Sequence, residues 1–146
     1  MTTIYFDMDG TLCDLYGVSD WLRKLKAEDA SPYREARPLL RLSQLARQLN
    51  KLQSHGYRLG IVSWLAKESS DFYGKIVTEA KLEWLHKHLA SVNFDEIFIV
   101  PYGTPKYQVV TSQNGILFDD EEKNRREWTG VAYDVQNILE ILKGIE

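Results

Sequence analysis

The stretch "IYFDMDGTLCD", residues 4–14, ends a short apolar run with two acids two positions apart, Asp7 and Asp9, and follows them with Gly10 and Thr11. In extended backbone residues i and i+2 face the same side, so this order presses two like charges together. Unrelieved, such a pair forces one carboxyl to take up a proton. A divalent cation removes that penalty, and hard oxygen ligands that leave room for phosphate oxygens suit Mg²⁺. Gly10 lets the backbone turn sharply near a ligand, and Thr11 offers a hydroxyl and an N–H to an anion. The stretch reads as a first strand that opens onto a metal and a phosphate.

Working outward, apolar runs alternate with helical periodicities. "TIYF" is the first strand, "YRLGIVS" the second, "EIFIV" the third, "GILF" the fourth and "GVAY" a fifth. Between the first two, Leu42, Leu45, Leu49 and Leu52 recur at spacings of three and four, the stripe of an amphipathic helix, with Gly56 at its C-terminal end. Leu82, Leu85, Leu89 and Val92 form a second stripe. A last helix carries Val135, Ile138, Leu139 and Leu142 on one side, with Asp134 as its N-cap. Strands apolar on both faces, alternating with helices, predict a parallel sheet covered on both sides, an α/β three-layer Rossmann-like fold. Ligands of such sheets bind at the carboxyl ends of the strands. Asp7, Ser63, the loop through Lys106, and Asp119 with Asp120 all fall there.

The totals agree. A chain of 146 residues with 44% hydrophobic and 27% charged residues is sized for a single domain over residues 1–146. No run of about 20 apolar residues predicts a membrane span. The N-terminus lacks the pattern of a signal peptide, and one cysteine, Cys13, permits no intrachain disulfide; the expected setting is cytoplasmic. A net charge of −3 argues against bulk electrostatic binding of nucleic acid. Locally, seven basic residues (Arg23, Lys24, Lys26, Arg34, Arg37, Arg41, Arg47) face four acidic ones between Tyr16 and Arg47; a solvated helix surface is the favoured reading, a basic rim for an anionic substrate the sharper one. Residues 15–38, with Trp21, Leu22, Leu25, Pro32 and Pro38, read as a short helix and loop folded over the sheet end, a small cap-like insertion.

Two or three acids, a metal, a lysine and hydroxyl donors make an inventory for phosphoryl transfer, in which positioning and charge neutralisation supply most of the catalysis. Asp7 can attack phosphorus directly. "DMDGT", Ser63, Lys106 and the "DD" of residues 119–120, in that order at successive strand ends, resemble the haloacid dehalogenase (HAD) superfamily of phosphohydrolases, over nearly the whole chain. The resemblance implies a HAD-like fold with a minimal cap and a Mg²⁺-dependent phosphomonoesterase working through an aspartyl-phosphate. It implies Asp7 as nucleophile and metal ligand, and Asp9 as general acid and base whose backbone carbonyl also helps hold the metal. It implies that Ser63 and Lys106 bind the phosphoryl group and that Asp119 or Asp120 completes the metal sphere, Asp119 favoured as nearest the strand end; Gly10, Thr11 and Trp64 are further candidates for the phosphate. The family's carbon–halogen cleaving members lack an acid at the position of Asp9, so its presence points to phosphate esters, whose leaving oxygens need a proton.

Lys106 has rivals in Lys75 and Lys81, which fall in or beside a helical segment and read as solvated helix charges; Lys106 follows the third strand and precedes the acidic pair by 13 residues. His86 and His88, at i, i+2 on a helix, face apart and make no zinc pair. Cys13 reads as a packing residue, and Asn124 as a residue orienting the acidic loop or an exposed helix position. Trp64, Tyr16 and Tyr102 stand near strand ends. "DMDGTLCD" and "ILFDDEEKN" are similar to the 5′(3′)-deoxyribonucleotidase branch, which makes a nucleotide the first substrate expectation; only about two dozen residues are available for a cap, fewer than that branch carries. A phosphatase of polynucleotide 3′ or 5′ ends is the alternative, transfer to an acceptor other than water another, and completion of the site by a homo-oligomer partner a third element of the reading. The presence of both Asp7 and Asp9 argues against a non-catalytic binding module.

Overall fold

A computed structural model describes residues 2–145. β1 (Thr3–Phe6) lies at the centre of a five-stranded parallel sheet, flanked by β4 (Arg58–Trp64) on one side and β6 (Ile116–Phe118) on the other; β5 (Glu96–Val100) pairs with β4, and β7 (Val131–Tyr133) with β6. The chain runs outward from β1 first to one side and then to the other, so the strand order reverses at β1. A crevice opens at such a switch point, beyond the strands' carboxyl ends.

Every residue of β1 is buried, which is why it reads as continuous apolar sequence. On one face Ile4, Phe6, Leu59, Ile61 and Phe118 meet Leu45, Leu49 and Leu52 of α3 (Leu42–Ser54) and Ile138 and Leu142 of α7 (Ile138–Ile145). On the other, Tyr5, Val62 and Leu117 pack with Val110 and Trp128. Phe6 stacks on Phe118 with centroids 5.2 Å apart. The three layers are those the alternation predicted.

Two helices depart from their expected bounds. α4 runs Asp71–His88, its N-terminus capped by Ser70, whose hydroxyl accepts the Tyr73 N–H at 3.1 Å. Its buried positions are Tyr73, Gly74, Val77, Ala80, Lys81, Trp84 and Leu85, a face too mixed to register as an aliphatic stripe. Leu82 is 41% exposed, and Leu89 and Val92 lie beyond the helix end, buried. The last helix begins at Ile138 rather than after Asp134, because the Asp134 carboxylate accepts the N–H of Val135 at 2.7 Å and closes a local turn instead of capping a helix.

Between β1 and α3 come β2 (Cys13–Asp14), a 3₁₀ turn (Leu15–Gly17), α1 (Trp21–Lys26), α2 (Ser31–Glu35) and β3 (Arg37–Pro38); β2 and β3 pair antiparallel and close the base of the segment. Leu15, Ala30 and Tyr33 pack on Tyr73, Val77 and Ala80 of α4. Polar contacts fasten the same junction: Tyr73 Oη donates to Asp29 O at 2.8 Å, Trp84 Nε1 to Ala36 O at 2.8 Å, and Ser70 Oγ to Glu28 Oε1 at 2.9 Å. Arg23, Lys26, Arg34, Arg37, Arg41 and Arg47 are exposed, as the solvated-surface reading expects. Among the described residues no helix is long and apolar enough to cross a membrane.

Candidate active site

Asp7 is the first residue past β1, its N–H donated to Phe118 O at 3.0 Å, so the neighbouring strand fixes where its carboxylate stands. A tight loop follows. Met8 O accepts the N–H groups of Thr11, Leu12 and Cys13 at 2.8–3.0 Å, and Gly10 donates back to Cys13 O at 2.8 Å. Gly10 has φ +81°, and a Cβ there would lie 2.2 Å from Asp120 Oδ2. Glycine is required twice over, by the backbone angle and by the approach of the second acidic loop.

Asp119 and Asp120 leave β6 beside it. Asp7, Asp119 and Asp120 each offer a carboxylate oxygen within 4.8 Å of the others. Thr11 Oγ1 lies 3.3 Å from Asp7 Oδ2 and 3.2 Å from Asp120 Oδ1, linking the two loops. Lys106, the first residue of α5 (Lys106–Val109), is buried and donates to Asp7 Oδ1 at 2.9 Å and Asp119 Oδ2 at 2.7 Å. Asp119 Oδ1 also accepts the N–H of Glu121 at 2.9 Å, and its Oδ2 the amide of Asn124 at 3.2 Å. Both oxygens of Asp119 are thus occupied by donors, whereas Asp120 meets the Thr11 hydroxyl and the Asp7 carboxyl.

The expected solvation of Lys81 is overturned. Lys81 is 1% exposed, and its ammonium donates to Asp9 Oδ2 at 2.9 Å, Ser63 Oγ at 2.6 Å and Trp64 O at 2.6 Å. Lys75 is exposed, as expected. A sequence signal for Lys81 does exist: it shares a helix face with Val77 and Trp84, four before and three after, both buried. A lysine in phase with core residues is a lysine with a buried partner. Ser63, at the end of β4, has no exposed surface. The indole N–H of Trp64 is donated to Thr104 O at 2.8 Å, so its ring serves as a wall and not as a donor. Asn124, left open between two readings, is buried, and among the described residues its Oδ1 has no hydrogen-bond partner. Cys13 is buried packing, and His88 lies against the Trp84 ring.

Charge crowding moves several protons. Burial, then the Asp7 charge, pushes Asp120 up to about 8. Burial and Asp7 raise Asp119 to about 6 against the pull of Lys106. Burial raises Asp9 although Lys81 opposes it. Lys106 is raised: burial works against its charge, but Asp7 and Asp119 outweigh it. Four carboxylates and two ammonium groups leave two negative charges when all are ionised, which one divalent cation neutralises. The donor set, all oxygen, with an orphaned buried acceptor on Asn124 beside it, fits Mg²⁺.

A cavity of about 350 Å³ lies over these groups. Asp7, Asp9, Lys106, Asp119, Asp120 and Asn124 form its floor; Tyr16, Trp21, Leu22 and Leu25 line it from the segment before α3, and Trp64 and Tyr102 from the strand ends. The aromatic walls come in two pairs. Tyr16 meets Trp21 edge-on, and Trp64 meets Tyr102 at a tilt, both with centroids 4.9 Å apart.

The chain has an α/β Rossmann-like, HAD-like fold, and its acidic cluster stands at the switch point of the sheet. Among solved structures, the D,D-heptose 1,7-bisphosphate phosphatase of B. bronchiseptica, complexed with magnesium and phosphate, is similar with a TM-score of 0.60 at 14% identity, covering 100% of both chains. The D,D-heptose 1,7-bisphosphate phosphatase of Burkholderia thailandensis is similar with a TM-score of 0.51 at 14% identity, over 86% of this chain and 70% of that one. By sequence, no family model matches the chain, and no curated protein matches it.

Proposed function

We propose that the protein is a Mg²⁺-dependent phosphomonoesterase that works through an aspartyl-phosphate on Asp7, with nucleotides as its substrate class. One observation carries the reaction: Asp7, Asp119 and Asp120 converge with Lys106 at the floor of a cavity, and Asp9 stands beside them outside the acidic cluster. Asp7, Asp120 and the Asp9 carbonyl would hold the ion, Asp120 in preference to Asp119 because Lys106, Glu121 and Asn124 already take up the Asp119 oxygens. The ion would neutralise the carboxylates and withdraw charge from the phosphoryl oxygens.

Lys106 holds Asp7 Oδ1, and Oδ2, met by the Thr11 hydroxyl at 3.3 Å, is the oxygen that would attack phosphorus. As the new O–P bond forms, the bond to the leaving oxygen breaks, and that oxygen takes the proton of Asp9. Asp9 then removes a proton from water as the water attacks phosphorus, breaking the bond to Asp7 and releasing inorganic phosphate. Two of the three N–H donors of Lys106 are committed to Asp7 and Asp119, and the third is free for a phosphoryl oxygen. In this reading Gly10, Thr11 and Ser63 stand behind the cavity lining, Thr11 and Ser63 buried, and support the groups that meet the anion.

The two aromatic pairs suit a leaving group with a flat face, such as a nucleobase, which stacks on such rings. Residues 15–38, as a minimal cap on a single domain, would supply the Tyr16–Trp21 pair. Lys26 and Lys67 at the cavity wall suit an anionic substrate, and a polynucleotide end is the rival form of the same chemistry. Cytosolic residence belongs to the same reading and is consistent with a single, buried cysteine. Phosphate release from a panel of nucleoside monophosphates, sugar phosphates and phosphorylated oligonucleotides, with and without Mg²⁺, tests all of this. Metal-dependent release greatest on free nucleotides is the expected result; metal-independent turnover overturns the mechanism, and faster release from oligonucleotide ends overturns the substrate.

A further inference from the structure

We propose that Lys81 is a positioning residue of this site: it turns the carboxyl of Asp9 so that the other oxygen faces the phosphoryl group, and fixes the buried hydroxyl of Ser63 behind it, without touching substrate itself. This rests on the reading of Asp9 as the acid and base.

Donor counting carries the inference. A lysine ammonium has three N–H groups and no acceptor. Those of Lys81 go to Asp9 Oδ2, Ser63 Oγ and Trp64 O, at 2.9, 2.6 and 2.6 Å. None is left for a ligand, and the residue is 1% exposed, in contrast to Lys106, which lines the cavity with a donor to spare. Each partner is constrained in turn. Asp9 Oδ2 accepts from Lys81, so the proton passed to a leaving oxygen sits on Oδ1. Ser63 Oγ must accept, so its own hydroxyl proton is free to be donated elsewhere. Without Lys81 both side chains lose that bias, and the hydroxyl can donate to Asp9 instead.

The lysine's own position is over-determined. It projects from α4, a helix bonded to the segment before α3 through Tyr73, Trp84 and Ser70, and its ammonium lies 5.2 Å from the centroid of the Tyr33 ring of that segment. The Trp64 carbonyl is the third anchor. Held from the helix, the strand end and the aromatic ring, the ammonium has one place to be, and Asp9 inherits that order.

The test measures kcat/KM, which reports the first chemical step, on p-nitrophenyl phosphate and phenyl phosphate, whose leaving oxygens differ widely in basicity. The more basic leaving group needs the acid more. Lys81→Met is compared with the parent and with Asp9→Asn, each checked for a cooperative thermal transition. The expected result is that Lys81→Met loses at least about tenfold more on phenyl phosphate than on p-nitrophenyl phosphate, the same skew that Asp9→Asn shows. Equal loss on both esters in a folded Lys81→Met protein, with the skew present in Asp9→Asn, overturns the proposal and leaves Lys81 a packing residue. No skew in Asp9→Asn overturns the acid reading of Asp9, and the role of Lys81 with it. Should Lys81→Met fail to fold, Lys81→Gln, which keeps an amide donor, carries the same comparison.

Discussion

The ammonium of Lys106 lies 2.9 Å from Asp7 Oδ1 although the two residues are 99 positions apart, and it reaches Asp119 in the same stroke at 2.7 Å. One cation, itself buried, thereby fixes the orientation of the proposed nucleophile and braces the second acidic loop against it.

Lys106→Met removes that cation and leaves two buried carboxylates facing each other. Breaking a buried pair in this way costs about 3–5 kcal/mol, and loss of one preorganised charge at a reacting centre costs about 10²–10³ in rate. Urea unfolding should show the destabilisation, and phosphate release a fall of that order. Asp7→Asn, by contrast, should fold and release no phosphate.

Acidic crowding sets a pH dependence. Asp119 is raised to about 6 and Asp120 to about 8, above the value of about 3.9 for an unfolded aspartate. Between those limits the native state binds more protons than the unfolded state, so stability of the metal-free protein is greatest at the acid end and falls as pH rises from about 4 to about 8. Mg²⁺ favours the ionised carboxylates and should raise the thermal midpoint more at pH 8 than at pH 5. Thermal unfolding of Asp120→Asn should show a shallower slope; a slope equal to the parent's would remove Asp120 as its source.

Gly10→Ala places a Cβ 2.2 Å from an oxygen of Asp120 at a backbone angle of φ +81°. The left-handed backbone alone costs about 1–2 kcal/mol. Disturbing the residues around a metal site costs about 10–100-fold in metal affinity, so under the proposed function the half-saturating Mg²⁺ concentration for phosphate release should rise by about tenfold or more.

Tyr102 is 53% exposed and pairs with Trp64 at the cavity wall, so its removal spares the core. Base stacking on an aromatic side chain is worth about 1–3 kcal/mol. Tyr102→Ala should raise KM for nucleoside monophosphates about tenfold and leave a small alkyl phosphate unaffected. Equal changes on both substrates would argue against a base at this wall.

The site's main features were legible because each announces itself locally. Asp7, Asp9 and Gly10 stand in one loop, Asp119 and Asp120 in another, and apolar β1 and β6 precede them with their burial written in the residues themselves. Lys106 was legible from its place after β5. For Lys81 only the burial was legible, from its phase with Val77 and Trp84; its partners were not, because Asp9 is 72 and Ser63 is 18 positions away. The start of the last helix was misplaced for a related reason, since Asp134 suits a cap and a turn equally, and the choice fell to its bond with Val135.

By itself the sequence determined the parallel sheet, its layers and the acids at its rim, because hydrophobic periodicity and strand-end chemistry act over a few residues and survive without knowledge of the partner. Tertiary structure alone decided which lysine meets which carboxylate, how many donors gather on Asp119, and which aromatic rings face one another at the cavity. Those outcomes depend on distances between residues far apart in the chain, and such distances exist only once the strands are laid side by side.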